Sequence, residues 1–364
     1  MKIKRIAALV AVVGFGVSAC GSSSTTKTTE AAPAGDATTA PAAAPEVTEA
    51  APEATEAAPA ATEPAPAETD AATVTQGGDI EIAVITHSDG GVFWSVFEKG
   101  AADAGKALGV TVRIEQGNND GAKQAAAINQ AVSDGVDGLA VSLADPDALK
   151  DSVKAAVDAG IPLVTTNSGS NLYKEFGAFT HIGQDEFQAG QGAGEKFNAA
   201  GAKKVLCAKQ EQTNVGLDAR CDGLKDTFTG EVVAEFVELD QDLAKQQAAL
   251  KAKLDADTAF DGVFGTGPNI AHSAAAAAAE LGRELTIGGV DLSEALLDDI
   301  ASGAVAFTID QQQYLQGYVS VVALFLNITN ANTLGGGLPI ATGPGFVTKD
   351  NADAVKALVA AGTR

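Results

Sequence analysis

From residue 80 onward, short and nearly continuous apolar runs alternate with longer stretches in which apolar residues recur at helical spacing. The runs at 80–85, 110–114, 138–143 and 161–165 are rich in β-branched residues and end in turn formers. They predict strands buried on both faces. Between them, 93–108, 122–133 and 147–159 predict helices, with Gly105, Gly109 and Gly160 as candidate C-terminal caps. Asp145-Pro146-Asp147 reads as a helix start, Asp145 capping and Pro146 in the first turn, and Asp185 is assigned to capping as well. The second half repeats the theme. Strands are predicted at 204–208, 232–238, 262–264 and 286–290, and helices at 217–228, 242–255 and 270–281. A strand at 304–309, a helix near 314–326, a strand near Phe346 and a helix over 352–360 complete the chain. Strands alternating with helices imply parallel sheets with helices on both faces, here two α/β lobes of similar size.

In an open parallel sheet, ligands bind beyond the carboxyl ends of the strands. The first predicted strand leads into Thr86-His87-Ser88-Asp89, then Gly90, Gly91, Val92, Phe93 and Trp94. The fourth leads into Thr166, Asn167, Ser168 and Gly169, and the run ending at Ala208 leads into Gln210-Glu211-Gln212-Thr213-Asn214 and on to Arg220. Thr266 to Asn269, Asp291, and Asp310-Gln311 follow later strands. Amides, hydroxyls and carboxylates beside an aromatic pair suit a polyhydroxylated ligand: the polar groups meet hydroxyls and a ring stacks on an apolar C–H face.

The N-terminus belongs to no fold. Lys2, Lys4 and Arg5 precede a short apolar run from Ile6 to Ala19, too short to span a bilayer and apt for a secretion signal. Val17-Ser18-Ala19-Cys20 resembles a bacterial lipobox, which predicts lipidation of Cys20 after removal of 1–19. Residues 20–78, mostly Ala, Pro, Thr and Glu, cannot offset the entropy of ordering and predict a tether. A formal charge of −23 repels nucleic acid and anionic lipid. Once exported, Cys207 and Cys221 form an even pair, either a disulfide or two buried thiols.

At these residues the chain resembles the ribose- and galactose-type periplasmic binding proteins of sugar ABC importers, over Ile82 to Gln316. Phe93-Trp94 resembles that family's sugar-stacking pair, and Asn167 stands where the family carries a ligand-binding Asp. Arg220 resembles its arginine-bearing helix start, unless an offset of two residues puts Asp218 there. Asp291 and Gln311 match its Asp after a glycine-containing strand and its crossover glutamine. Asn214, Asn269 and His87 complete the candidate ligand set. The resemblance implies two doubly wound lobes joined by three crossovers, the first over 79–181 plus 312–341 and the second over 182–311 plus 342–364. It further implies a lipid-anchored monomer outside the cytoplasm, closing on a small neutral sugar or polyol for an ABC importer permease. Gly91, Asn167 and Ser168 depart from the ribose pattern and argue against ribose itself.

Other functions find less support. The chain carries neither a Gly-x-Ser-x-Gly elbow nor a phosphate loop, and His87, His181 and His272 lack metal-ligand spacing, so no catalytic residue, metal or cofactor is expected. Gly335-Gly336-Gly337 reads as a turn. The alternatives are a receptor of the same fold that presents a sugar-like signal to a membrane sensor, and a surface carbohydrate-active enzyme.

Overall fold

The computed structural model describes residues 78–87, 90–237 and 242–364; the expected signal, Cys20 and most of the tether lie outside them. The first lobe contains β1 (Glu81–Thr86), α1 (Val92–Leu108), β2 (Thr111–Gln116), α2 (Gly121–Asp134), β3 (Gly138–Val141), α3 (Pro146–Asp158), β4 (Leu163–Thr166) and β5 (Thr180–Gly183). The second continues through α4 (Glu186–Ala200), β6 (Lys204–Lys209), α5 (Val215–Thr227), β7 (Glu231–Phe236), α6 (Leu243–Ala256) and β8 (Gly262–Gly265). It ends its main run with α7 (Pro268–Leu281), β9 (Thr286–Val290), α8 (Glu294–Ser302) and β10 (Phe307–Asp310). The chain then returns for α9 (Gln313–Asn330) and β11 (Ile340–Ala341), and crosses back for β12 (Gly345–Val347) and α10 (Ala352–Ala360).

Two six-stranded sheets result, β11-β5-β4-β3-β1-β2 and β12-β10-β9-β8-β6-β7. All described pairings are parallel except β10 with β12. Each sheet is covered on both faces because its strands are apolar on both. In β1, Ile82 and Val84 pack toward α1 and α9, while Ala83 and Ile85 pack toward α2 and α3. In β6, Val205 and Cys207 face α4 and α5, and Leu206 and Ala208 face α6 and α7. The architecture is two doubly wound lobes joined after β5, after β10 and between β11 and β12.

Asp145 and Asp185 cap α3 and α4, accepting from the backbone N–H groups of Ala148 and Gln188. Gly109 closes α1 at φ 69°, whereas Gly105 lies inside that helix, where a methyl would stand 2.5 Å from Val112. It serves packing and not capping. The expected lobe boundary at 181/182 falls inside β5, whose pairing with β4 and β11 carries the first lobe to Gly183. Gly335-Gly336-Gly337 lies in a 3₁₀ turn with the first two at φ 69° and 63°.

Two helix pairs pack backbone to backbone and so fix where the cleft side chains start. A methyl at Gly317 of α9 would lie 2.0 Å from the Phe97 carbonyl oxygen of α1. One at Gly223 of α5 would lie 2.0 Å from the Phe187 carbonyl oxygen of α4. A disulfide between Cys207 of β6 and Cys221, Cα atoms 5.9 Å apart, ties α5 to its sheet as well. Gly223→Ala must push α5 off α4, and is expected to cost about 1–3 kcal/mol as an overpacked contact. Urea denaturation checks this; an unchanged midpoint would show that the helices can separate freely.

Candidate ligand-binding cleft

The carboxyl ends of β1 and β4 face those of β6, β8, β9 and β10 across a cavity of about 310 Å³. Every residue singled out for the ligand in the sequence borders it: His87, Phe93, Trp94, Asn167, Asn214, Arg220, Asn269, Asp291 and Gln311. Asp218 does not; it pairs with Lys209 on the outer side of α5. The helical period turns Arg220 inward when Asp218 points out.

Trp94 is shared between the cavity and the first-lobe core. It is buried, meets Phe97 edge-on at 5.4 Å, and carries Phe93 against it at 4.9 Å. His87 packs edge-on to Trp94 at 4.8 Å, and its Nδ1 lies 2.8 Å from Ser142 Oγ, which also accepts from its backbone N–H.

Gln311, in the second crossover, joins the two lobes' polar groups. Its Nε2 donates to Asp291 Oδ1 at 2.7 Å, and its Oε1 accepts from Asn167 Nδ2 at 3.3 Å. Asn167 and Asp291 have left-handed backbones, φ 62° and 68°, which aim both side chains back into the cleft. Such a conformation is rare outside glycine but tolerated best by Asn and Asp. Burial pushes the Asp291 carboxyl up to about 7, against the pull of Arg220 and the bond from Gln311.

Arg220 is buried and fully engaged on one side. Nε and Nη2 donate to the two oxygens of Glu186 at 2.5 and 3.0 Å, and Nη1 donates to the Thr266 carbonyl at 2.5 Å. Burial opposes its charge, but Glu186, aided by Asp291 and Glu211, holds the guanidinium above its ordinary value.

The lobes meet at the mouth. Val215 N–H donates to Ala144 O at 3.1 Å and Ser168 Oγ to Asn214 Oδ1 at 3.2 Å. Asn214 Nδ2 lies 3.4 Å from His87 Nε2, and Glu211 Oε2 lies 3.9 Å from the same nitrogen. Asn214 also caps α5, accepting from Gly216 N–H at 2.9 Å, so its turn role and its cleft position coexist. Asn269 sits in the first turn of α7, after Pro268.

Gln210, Glu211 and Ser293, outside the ligand set expected from the sequence, also border the cavity. The first two lie in the polar run after β6, where the carboxyl-end rule points. It gave no hint of Glu186, nor of Gln316, whose Nε2 bonds Gln311 at 3.1 Å. Of the other histidines, His181 is buried, its Nδ1 2.9 Å from Thr165 Oγ1, and burial pushes it down to about 3. His272 bonds Asp299 at 2.6 Å. Among the described residues no cluster of His, Cys, Asp or Glu could hold a metal ion.

The Asp291 shift has a stability consequence. Unfolded, the carboxyl ionises near the usual Asp value of about 3.9, while the folded state keeps its proton to about 7. Between those values the native state binds more protons, so stability falls as pH rises. Asp291→Asn removes that loss. Relative to wild type, the variant should gain on the order of 3–4 kcal/mol between pH 4 and 7.5. Urea denaturation at stepped pH measures it; a pH-independent difference would show that Asp291 ionises normally in the fold.

The periplasmic binding protein domain matches residues 82–331. A carbohydrate transporter from Acidothermus cellulolyticus 11B, solved in complex with myo-inositol, aligns with a TM-score of 0.75 at 40% identity, covering 79% of this chain and 100% of that one. An ABC transporter solute-binding protein from Burkholderia graminis C4D1M, in complex with D-arabinose, aligns with a TM-score of 0.67 at 26% identity over 75% of this chain and 96% of that one. The xylose/arabinose-binding protein of Sulfolobus acidocaldarius is 28% identical over 239 residues, 61% of this chain and 59% of that protein. The match thus spans less than two thirds of the length of that relative. With the domain match running from β1 through α9 and the two-lobed fold shared, the chain belongs to the periplasmic binding protein family.

Proposed function

We propose that this chain is a non-enzymatic solute-binding protein that takes up a small neutral sugar or polyol outside the cytoplasm and presents it to an ABC importer. The observation that carries the reading is the cleft: a polar cavity of about 310 Å³ with the Phe93–Trp94 pair on one side and amide, guanidinium and carboxyl groups from both lobes around it. Both donors and acceptors line it, as hydroxyls require. The one arginine is neutralised by Glu186, and Asp291 is raised toward neutrality, which favours an uncharged ligand. A cyclitol is the first class to try, since the Acidothermus relative is complexed with myo-inositol and the Burkholderia one with a pentose.

A ligand touching both lobes stabilises the closed arrangement by its differential affinity for it, and an importer permease can read that closed shape. Cys20, lipidated, and residues 20–78 as a tether would hold this monomeric body at the membrane.

The test uses a Cys20→Ser protein, screened by thermal shift against myo-inositol, pentoses and hexoses. A ligand at a hundred times its Kd adds about 2.7 kcal/mol to the native state. Asn167→Ala, which leaves Gln311 and the ligand short of a donor, should weaken binding about tenfold to a hundredfold. Trp94 emission should change on binding. No shift with any neutral polyol, or equal affinity in the Asn167 variant, would defeat the assignment.

A further inference from the structure

The Arg220–Glu186 pair lies between two cavities. On one side is the ligand cleft; on the other is a second cavity of about 650 Å³, bordered by Glu186 and Gln184, neither of which lines the first. Glu186 is 3% exposed and grips the guanidinium from that far side through both carboxylate oxygens. Gln184, in the first crossover, fixes Glu186 in turn, donating from Nε2 to Oε2 at 2.8 Å. A guanidinium has five N–H donors. Glu186 takes one from Nε and one from Nη2, and Thr266 takes one from Nη1, which leaves one on each terminal nitrogen for the cleft.

The charges around the cleft are lopsided. Among the described residues bordering it, Arg220 is the only Lys or Arg, and Glu211 and Asp291 stand beside it. An anion entering would meet one cation already answered by a carboxylate directly behind it. A hydroxyl would meet the same N–H groups without that penalty.

We propose that Glu186, which never touches the cleft, sets its specificity: by cancelling Arg220 from behind, it makes the site accept neutral polyols and refuse their carboxylated or phosphorylated congeners. This rests on the reading of the cleft as a polyol site. Glu186 acts through Arg220, as a positioning residue with an electrostatic consequence.

The experiment is calorimetric titration of wild type, E186Q and E186D with two matched pairs of probes, myo-inositol against myo-inositol 1-phosphate and D-glucose against D-glucuronate. The readout is the ratio of anion Kd to neutral Kd within a pair. In wild type the neutral member binds tighter. In E186Q the ratio falls tenfold or more toward the anion. E186D keeps the charge while shortening its reach, so affinity drops but the ratio stays within about threefold of wild type, a charge held at nearly the same distance. A merely structural Glu186 would weaken both members equally in E186Q, and an unchanged ratio overturns the inference, as does wild type binding the anion at least as well. If E186Q does not fold, E186Q/R220Q is read instead, since it removes both charges of the buried pair together. Both charges then depart together and the ratio stays near wild type; a tenfold move against the anion would show that Arg220 was never screened. If wild type binds neither neutral probe nor any other neutral polyol, the cleft assignment itself falls, and this inference with it.

Discussion

The structure depends on one constraint: Gln311, Gln316 and Thr342 are buried where the chain crosses between the lobes, and their polar groups must find partners in one another. Gln316, at the start of α9, meets that demand for the second and third crossings and for the end of β4. Its Nε2 reaches Gln311 of the second crossing and Thr342 of the third, and its Oε1 accepts from Asn167 at the end of β4. Gln312 adds a bond from its side chain to the Thr342 carbonyl, and Asp310 accepts from the Gln312 N–H and from Arg364. Leaving any one buried donor or acceptor unmatched costs roughly 1–3 kcal/mol, so the amides have little freedom to rearrange singly. Because Asn167 and Gln311 belong to both this network and the cleft wall, the crossing geometry is also the site geometry.

That network explains where the backbone is bent against its preference. Asn167, Asp291 and Gln312 all lie near φ 60°, at a strand end or a crossing. Each such residue costs about 1–3 kcal/mol unless its surroundings over-determine it. Here they do: Asp291 N–H is tied to Ile309 O at 2.7 Å and its carbonyl accepts from Thr308 Oγ1 at 2.7 Å. Asn and Asp accept the conformation more readily than glutamine. Gln312 adopts it at the turn from β10 into α9.

What the chain pattern revealed and what it hid follow from the same physics. The continuous apolar strands and the polar runs after them are local signals, and they suffice to put His87, Asn167, Asp291 and Gln311 at strand ends. β5 is not local: of Thr180, His181, Ile182 and Gly183 only one is strongly apolar, and the strand exists because β4 and β11 flank it. α4 carries Gly190, Gly192 and Gly194, which count against a helix by propensity. Two of those glycines are there because α5 comes so close: a methyl at Gly190 would stand 2.1 Å from Arg220 O, and one at Gly194 2.2 Å from Thr227 Oγ1. Glu186 and Gln316 carry no local signal of their roles, since their partners lie far off in the chain or across a crossing.

The division of rigidity decides how the cleft can work. Within each lobe, glycine-mediated helix contacts leave no slack, and in the second the disulfide adds a covalent tie between α5 and β6. Interiors packed in this way move as units and do not deform gradually. Across the mouth, by contrast, the lobes touch through polar contacts, Val215 N–H to Ala144 O at 3.1 Å and Ser168 Oγ to Asn214 Oδ1 at 3.2 Å, with longer approaches to His87 at 3.4 and 3.9 Å. Rigid lobes that meet at the mouth through polar contacts leave the crossings as the place where they can turn. There the amide network must either stay intact as the lobes turn about it or exchange partners in concert, because a half-made network is worse than either end state. On the function proposed above, opening and closing would then be two discrete arrangements, with the balance between them resting on a ligand that bridges Asn167 on one side and Arg220 and Asp291 on the other.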